Sequence, residues 1–493
     1  MIARPFAPTP ATRTAIAAAA AAAAILALAP LAHAPLAHAQ QANRPDPPTT
    51  LSAAQQLAKD IYKEIVQINT TAERGSTTLA ADAIAKRLRD AGFPEKDIFQ
   101  GGPKPNKGNL VVRYHGSGAR KPLILLAHLD VVEAKREDWT RDPFVFEEND
   151  GFFYGRGSTD DKPMAAIFAA NLIRYKQEGF LPDRDLILVL TADEEGGPDN
   201  GVRWLLANHR DKIDGAYALN EGGGGSLRNW KPLLHSVQAT EKVPVNFTVK
   251  VTNKGGHSSV PMPDNAIYHL AGALDKLSAF NFPVQLNEVT KAFFERTAQI
   301  ESPEFAPAMR VIAANPTDAA AAATLSKQPR NSSMLRTTCV ATRLFGGHAD
   351  NALPQLATAN VNCRIVPNVA PAEVRDVLLK LFNDPQVEIS AAPALAPSAP
   401  SALTAELMQP VEALTKQMWP GIPVIPTMST GATDGRYFRE QGIPTYGVSG
   451  LFGDMDDNRA HGRDERMLIK AFFDGHAFLY QLVKQLSSRR PAA

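Results

Sequence analysis

The chain has 493 residues, with 52 basic and 51 acidic side chains, 44% hydrophobic residues and 21% charged ones. This is globular composition, which excludes disordered and fibrous classes, and two cysteines exclude a disulfide scaffold or a Cys-rich zinc module. A formal net charge of +1 leaves no basic footprint for nucleic acid, and at about 150 residues per domain the length suggests two or three domains.

Residues 1–39 read as a secretory signal. Arg4 and Arg13 are the only charges, residues 15–31 are almost wholly Ala, Leu and Ile, and Ala37-His38-Ala39 offers a small-residue exit before Gln40. The expected location is secreted or periplasmic. No later apolar run reaches the roughly 18 residues that a membrane span needs, so no membrane association is expected after cleavage. Residues 41–50 are a polar, Pro-rich lead-in. Helical periodicity follows over 51–68 and 77–91, the second run ending at Gly92. Short apolar runs then occupy 109–114, 122–127, 186–191 and 216–219. Those around Leu123 and Leu186 are continuous rather than alternating, as in strands buried on both faces. Helical stretches at 163–178 and 201–208 separate them, and alternation of strand and helix predicts an α/β domain.

Near residue 240 the pattern changes. Residues 243–252 alternate as a half-solvated strand does. A helix is expected over 264–277, strands over 333–345 and 357–366, and a helix over 371–382, which together make an α+β insert. Residues 391–402, all Ala, Pro, Ser and Leu, read as the linker out of it. The organisation is therefore 1–39 signal, 40–238 first part of the α/β domain, 239–395 insert, and 396–493 second part. Cys339 and Cys363 lie equidistant from Asn351. An antiparallel pairing about that point sets them face to face, as a disulfide in an oxidising compartment requires.

No phosphate-binding GxxxxGK[ST], GxGxxG after a strand, GxSxG, HExxH or paired CxxC occurs. Instead, acids and histidines cluster at the ends of predicted strands. His128 and Asp130 lie two apart and point the same way, so Asp130 is placed to orient the imidazole. Asp160 sits in a glycine loop opening a helix, where a capping role would also account for it. Asp193, Glu194 and Glu195 end the most apolar strand; three consecutive carboxylates repel one another unless a cation sits among them. Asn220-Glu221 ends another strand, and His461 lies in a run from Arg459 to Glu465 before the last helix. A capped turn or a solvated loop would explain any one of these alone. Together they gather ligands at the carboxyl ends of neighbouring strands, where open α/β sheets build their sites, and two histidines with several carboxylates suit zinc or a similar metal.

The order and spacing of HxD, GRGxxDxK, a double Glu, a later acid and a late HGxxE resemble a dizinc amidohydrolase and exopeptidase family. It includes aminoacylase, acetylornithine deacetylase, succinyl-diaminopimelate desuccinylase, carboxypeptidase S and glutamate carboxypeptidase. The resemblance runs from about residue 51 to 485. It implies a mixed-sheet, zinc-exopeptidase-like α/β catalytic domain interrupted by an α+β lid or dimerisation domain. It implies two zinc ions, with cobalt or manganese as alternatives. His128 and Glu221 would hold one ion, His461 and Glu195 the other, with Asp160 between them. Glu194 would be the general base, and Asp130 would orient His128. In the insert, His257 would polarise the substrate carbonyl. Asn351 and Arg364 would hold the substrate carboxylate, beside a small-residue loop with Thr430 and Gly431. Two departures stand out: Asn220 precedes Glu221, leaving Glu221 the only acid there, and residues 280–330 are extra relative to the shortest members. The expected reaction is hydrolysis of an amide next to a free carboxylate, in a dipeptide, a C-terminal residue or an N-acyl amino acid. The resemblance also implies a homodimer through the insert, with His257 acting in its neighbour's site. A non-catalytic exported binding protein on the same fold would have lost a ligand or the base, and none is missing. A serine hydrolase using Ser429 or Ser449 lacks an elbow motif.

Overall fold

A computed structural model of the protein describes residues 44–391 and 398–488. The signal segment and half of the linker expected at 391–402 lie outside these residues. The compact unit described here begins at Asp46.

A ten-stranded mixed sheet forms its centre. The two continuous apolar runs become strands Leu123–His128 and Leu186–Thr191, buried at every position. They pair in parallel, with Leu123 opposite Leu186 and His128 opposite Thr191. Tyr217–Asn220 runs parallel on the other side of Leu123–His128, and Thr445–Gly447 extends that parallel row. Ile98–Gly101 and Asn109–Tyr114 close the near edge in antiparallel fashion. Burial on both faces is what removed polar alternation from these strands. Truncating a fully buried leucine such as Leu188 to alanine would cost about 2–5 kcal/mol.

Helix Lys162–Gln177 lies against this sheet and is buried almost all round, because helices Ala53–Val66 and Ile469–Leu486 cover its outer side. The N-terminus of Ala53–Val66 carries a reciprocal cap between Ser52 and Gln55.

The far half of the sheet is less apolar. Strand Lys231–Glu241 pairs antiparallel with Gly225–Arg228 and parallel with Val424–Ser429. It buries His235, Gln238, Thr240 and Glu241. The chain leaves this sheet at Lys242 and enters a second sheet at Val243.

That second sheet is four-stranded and antiparallel, in the order Thr338–Gly346, Leu356–Ile365, Val243–Thr252, Val387–Ala391. Alternate residues Val245, Phe247, Val249 and Val251 pack under helices Ala266–Ala279 and Pro371–Phe382, while Asn246, Thr248 and Lys250 of the same strand face outward. Cys339 pairs with Cys363 across the strands and the two form a disulfide. The expected strand over 333–345 begins later, at Thr338, because Ser333, Met334 and Leu335 belong to a short helix, Pro329–Leu335. The extra segment after residue 280 contains four helices. They share an apolar cluster with Ile425 and Met428 of the large sheet, through Phe293, Met309 and Leu325, rather than with the second sheet.

Candidate metal centre and active site

Because strands ending at His128, Thr191 and Asn220 are parallel, the loops that follow all leave the same edge of the sheet. His128, Asp160, Glu194, Glu195, Glu221 and His461 meet there. His128 is 2% exposed. Its Nε2 lies 2.9 Å from Asp160 Oδ1 and 4.0 Å from Glu221 Oε1. His461 Nε2 lies 3.1 Å from the other oxygen of Asp160 and 3.0 Å from Glu195 Oε1. One carboxylate thus faces two imidazoles, each with its own second acid. His128, Asp160 and Glu195 converge to within 4.8 Å of one another, as do His128, Glu194 and Glu221.

The electrostatics of this set call for a cation. Burial pushes Glu194 and Glu221 well above the carboxylate range, and nearby carboxylates push further. Burial, with Asp160 and Asp130 close by, takes Glu195 up to about 7. Asp160 goes the other way: burial would raise it, but hydrogen bonds from His128 and His461 bring it well below its usual range. The same bond from Asp160 holds His461 up to about 9. Divalent ions would take the place of these protons, and the donor set of imidazole nitrogens and carboxylate oxygens fits zinc, cobalt or manganese.

Asp130 differs in detail from its sequence-based role. His128 Nδ1 faces the backbone carbonyl of Asp130 at 3.0 Å, and the carboxylate is 3.6 Å away. Asp130 Oδ1 and Oδ2 accept the backbone N–H groups of Glu194 and Glu195, each at 3.1 Å. One residue therefore fixes both the imidazole and the acidic turn.

Three supporting groups were not assigned roles from the sequence. Glu465, 1% exposed, accepts from Arg156 Nη1 at 2.7 Å, from the N–H groups of Gly157, Thr159 and Asp160, and from the Thr159 hydroxyl. It clamps the loop that presents Asp160, whose bond to Asp161 is cis. Lys107 pairs with Asp193 in a buried contact. Asp193 is left-handed, φ 57°, and a side chain at Gly197 would meet its Oδ2 at 1.9 Å. Asp434 accepts from Thr191 Oγ1 and Asn200 Nδ2 and ties the 429–435 loop to the acidic turn. The late HGxxE motif contained the signal for Glu465; Lys107 had none.

Thr430 is exposed and Gly431 half-buried in that loop, where Gly431 N–H donates to Ser429 Oγ. The insert residues form a separate group. Strand Gly256–His257 pairs with Ala352–Leu353, and Asn351 O accepts Ser258 N–H, so His257 and Asn351 are neighbours. His257 is exposed and hydrogen-bonds with Ser259. Among the described residues it makes no hydrogen bond to the metal-facing cluster. Arg364 lies half-buried opposite Pro244 and Thr338. Burial and the charges of Arg364 and Arg336 pull Lys242 down to about 7.

An α/β sheet at whose strand ends two imidazoles and four carboxylates converge defines a metallohydrolase class of fold and site. Residues 124–485 match the model of peptidase family M20/M25/M40, and the chain belongs to that family. It is 26% identical to the human N-fatty-acyl-amino acid synthase/hydrolase PM20D1 over 461 residues, covering 89% of each chain. It is 29% identical to the "Probable carboxypeptidase S-like 2" of Dictyostelium discoideum, covering 76% of this chain and 74% of that one. In fold it resembles an M20 family metallo-carboxypeptidase from Sulfolobus solfataricus, with a TM-score of 0.66 at 17% identity, over 87% of this chain and 99% of that one. The protein is a metal-dependent amide hydrolase of this family. Among the described residues no helix is long and apolar enough to cross a membrane.

Proposed function

We propose that the protein is an exported enzyme that uses two divalent metal ions, zinc in the first place, to hydrolyse an amide bond beside a free carboxylate. The substrate is a dipeptide, a C-terminal residue or an N-acyl amino acid. The observation that carries this reading is Asp160, whose two oxygens each face a different histidine with the Glu194 turn alongside. His128 and Glu221 would hold one ion and His461 and Glu195 the other, with Asp160 facing both histidines. Ions so bound would lower the pKa of a water toward neutrality and polarise the scissile carbonyl. Glu194 takes the proton of the attacking water and delivers it to the leaving amine. Asp130 keeps Glu194 in place through its backbone N–H. His257 donates to the developing oxyanion. Arg364 offers a planar fork to the substrate carboxylate, with Asn351, Thr430 and Gly431 around it. Within residues 239–395, the second sheet and its two helices form the lid that carries His257, Asn351 and Arg364.

The test is a pair of substrates that differ only in a free or amidated C-terminal carboxylate. Metal-loaded enzyme should cleave the free acid at least about 100-fold better by kcat/KM, the scale of a lost charged hydrogen-bond pair. Equal rates would remove the carboxylate requirement from the proposal.

A further inference from the structure

Two parts of the metal-facing cluster are held by buried carboxylates: Glu465 clamps the Asp160 loop, and Asp130 the turn of Glu194 and Glu195. Glu221 is not held in this way. Among the described residues its carboxylate accepts no hydrogen bond, and it lies 4.0 Å from His128 Nε2. The residues on either side of it are held instead. Asn220 Nδ2 donates to Thr433 Oγ1 at 3.3 Å. Gly222 follows with φ 91°, and a side chain there would meet Gln238 Oε1 at 2.2 Å, so the Gln238 amide packs on that stretch of backbone.

Both supports converge on Glu241, which is 1% exposed. Its Oε2 accepts from the Gln238 amide at 3.1 Å, from the Thr433 N–H at 3.0 Å and from the Thr433 hydroxyl at 2.9 Å. Its Oε1 pairs with Arg439 Nη2 at 2.8 Å. A carboxylate needed only to neutralise a buried guanidinium could face it with both oxygens. Here one oxygen is given entirely to the residues that hold the neighbours of Glu221. Glu241 is also the last residue of its strand. The N–H of Lys242 donates to Ser429 O at 2.9 Å, and the chain enters the lid sheet at Val243. The junction that starts the lid therefore fixes the segment from Ser429 to Thr433 at both ends.

We infer that Glu241 is a positioning residue for Glu221: through Thr433 and Asn220 on one side and Gln238 on the other, it sets where that carboxylate stands. The inference rests on the two-ion reading above and adds to it a buried support for one ion site only. Among the described residues, no hydrogen bond or ion pair of Glu241, Thr433, Asn220 or Gln238 reaches His461 or Glu195. It also gives Asn220 a role that the sequence left without one.

The experiment measures zinc affinity on the full-length protein by competition with a chelating dye, with bound metal counted by elemental analysis. The wild type should bind two equivalents per chain. Thr433→Val keeps the side-chain shape and removes the hydroxyl that Asn220 and Glu241 share. It should weaken one equivalent by about 10–100-fold, the usual scale for a group that orients a metal ligand, and leave the other unchanged. Glu241→Gln should do the same, since a carboxamide accepts on one side only. The weakened ion should be the one that Glu221→Ala removes, so adding Thr433→Val to Glu221→Ala should not alter the affinity for the remaining ion. A general loss of structure would weaken both equivalents together. That result in Thr433→Val, wild-type affinity for both, or a further loss in the double variant would overturn the inference while the two-ion reading stands. If Glu241→Gln does not fold, Thr433→Val decides alone. A wild type that binds fewer than two equivalents would overturn the two-ion reading, and the inference with it.

Discussion

Asp130 Oδ1 accepts the backbone N–H of Glu194 at 3.1 Å. The contact joins the end of one central strand to the turn after its neighbour, since Leu123–His128 and Leu186–Thr191 run side by side. The carbonyl of the same residue meets His128 Nδ1. Asp130 is therefore a positioning residue for both the proposed base and a proposed metal ligand. Asp130→Ala should lower kcat by about 10–100-fold, the usual scale for a group that orients a metal ligand, with little change in KM. Asp130→Asn, which keeps one side-chain acceptor for the acidic turn, should recover part of it. Steady-state kinetics at fixed metal loading checks this, and an unchanged kcat in Asp130→Ala would argue against the role.

Glu194 and Glu195 are adjacent, yet only Glu195 touches His461. Glu194→Gln should keep both metal ions and lose roughly 10²–10⁴ in kcat, the contribution of a general base. Metal content by elemental analysis separates the two residues. A Glu194→Gln protein that has lost its metal would mean that the roles are exchanged.

Glu465 and Arg156 are 1% and 3% exposed and pair at 2.7 Å. Removing the Glu465 charge leaves a buried guanidinium and several N–H groups short of an acceptor. Glu465→Gln should destabilise the fold by about 3–5 kcal/mol, the cost of breaking a buried pair. It should also weaken metal retention, because the Asp160 loop loses its clamp. Denaturant unfolding and metal content together check this. A variant with wild-type stability and full metal would show that the clamp is dispensable.

Strand Thr338–Gly346 is the outer strand of the second sheet and exposes Val340, Leu344 and Phe345 by 60%, 64% and 55%. An apolar open edge of this kind favours pairing with a second copy, which would bring His257 to its neighbour's site. His257→Ala and Glu194→Ala should each be nearly inactive. After mixing and subunit exchange, about a quarter of wild-type activity should return, because half the dimers are mixed and each mixed dimer has one of two sites intact. A monomer by light scattering at assay concentration, or no recovery after proven exchange, would contradict the arrangement.

Much of this architecture was legible because it depends on local pattern. Continuous apolar runs at Leu123 and Leu186 read as strands buried on both faces, and the structure has them so. A side-chain period of two put His128 and Asp130 on one side. The far half of the large sheet was not legible: Lys231–Glu241 buries His235, Gln238, Thr240 and Glu241, so it shows neither an apolar run nor a clean alternation. The helices after residue 280 looked like part of the insert because they sit between its strands in sequence. Their packing on Ile425 and Met428 is a contact across more than a hundred residues. The same holds for Lys107, which meets Asp193 86 residues on, and for Glu465, which meets Asp160 across 305. Carbonyl and amide contacts such as those of Asp130 leave no trace in side-chain spacing.

His128, Asp160, Glu195, Glu221 and His461 are proposed to bind the metal on which amide hydrolysis depends. The most direct test is to strip the protein with a chelator, verify the loss by elemental analysis, and titrate zinc, cobalt or manganese back while following hydrolysis of an N-acyl amino acid. Activity should vanish on stripping and return with two equivalents of metal per chain. Asp160→Ala should fail to recover at any metal concentration that restores the wild type. Full activity in a preparation shown to be metal-free would contradict the account.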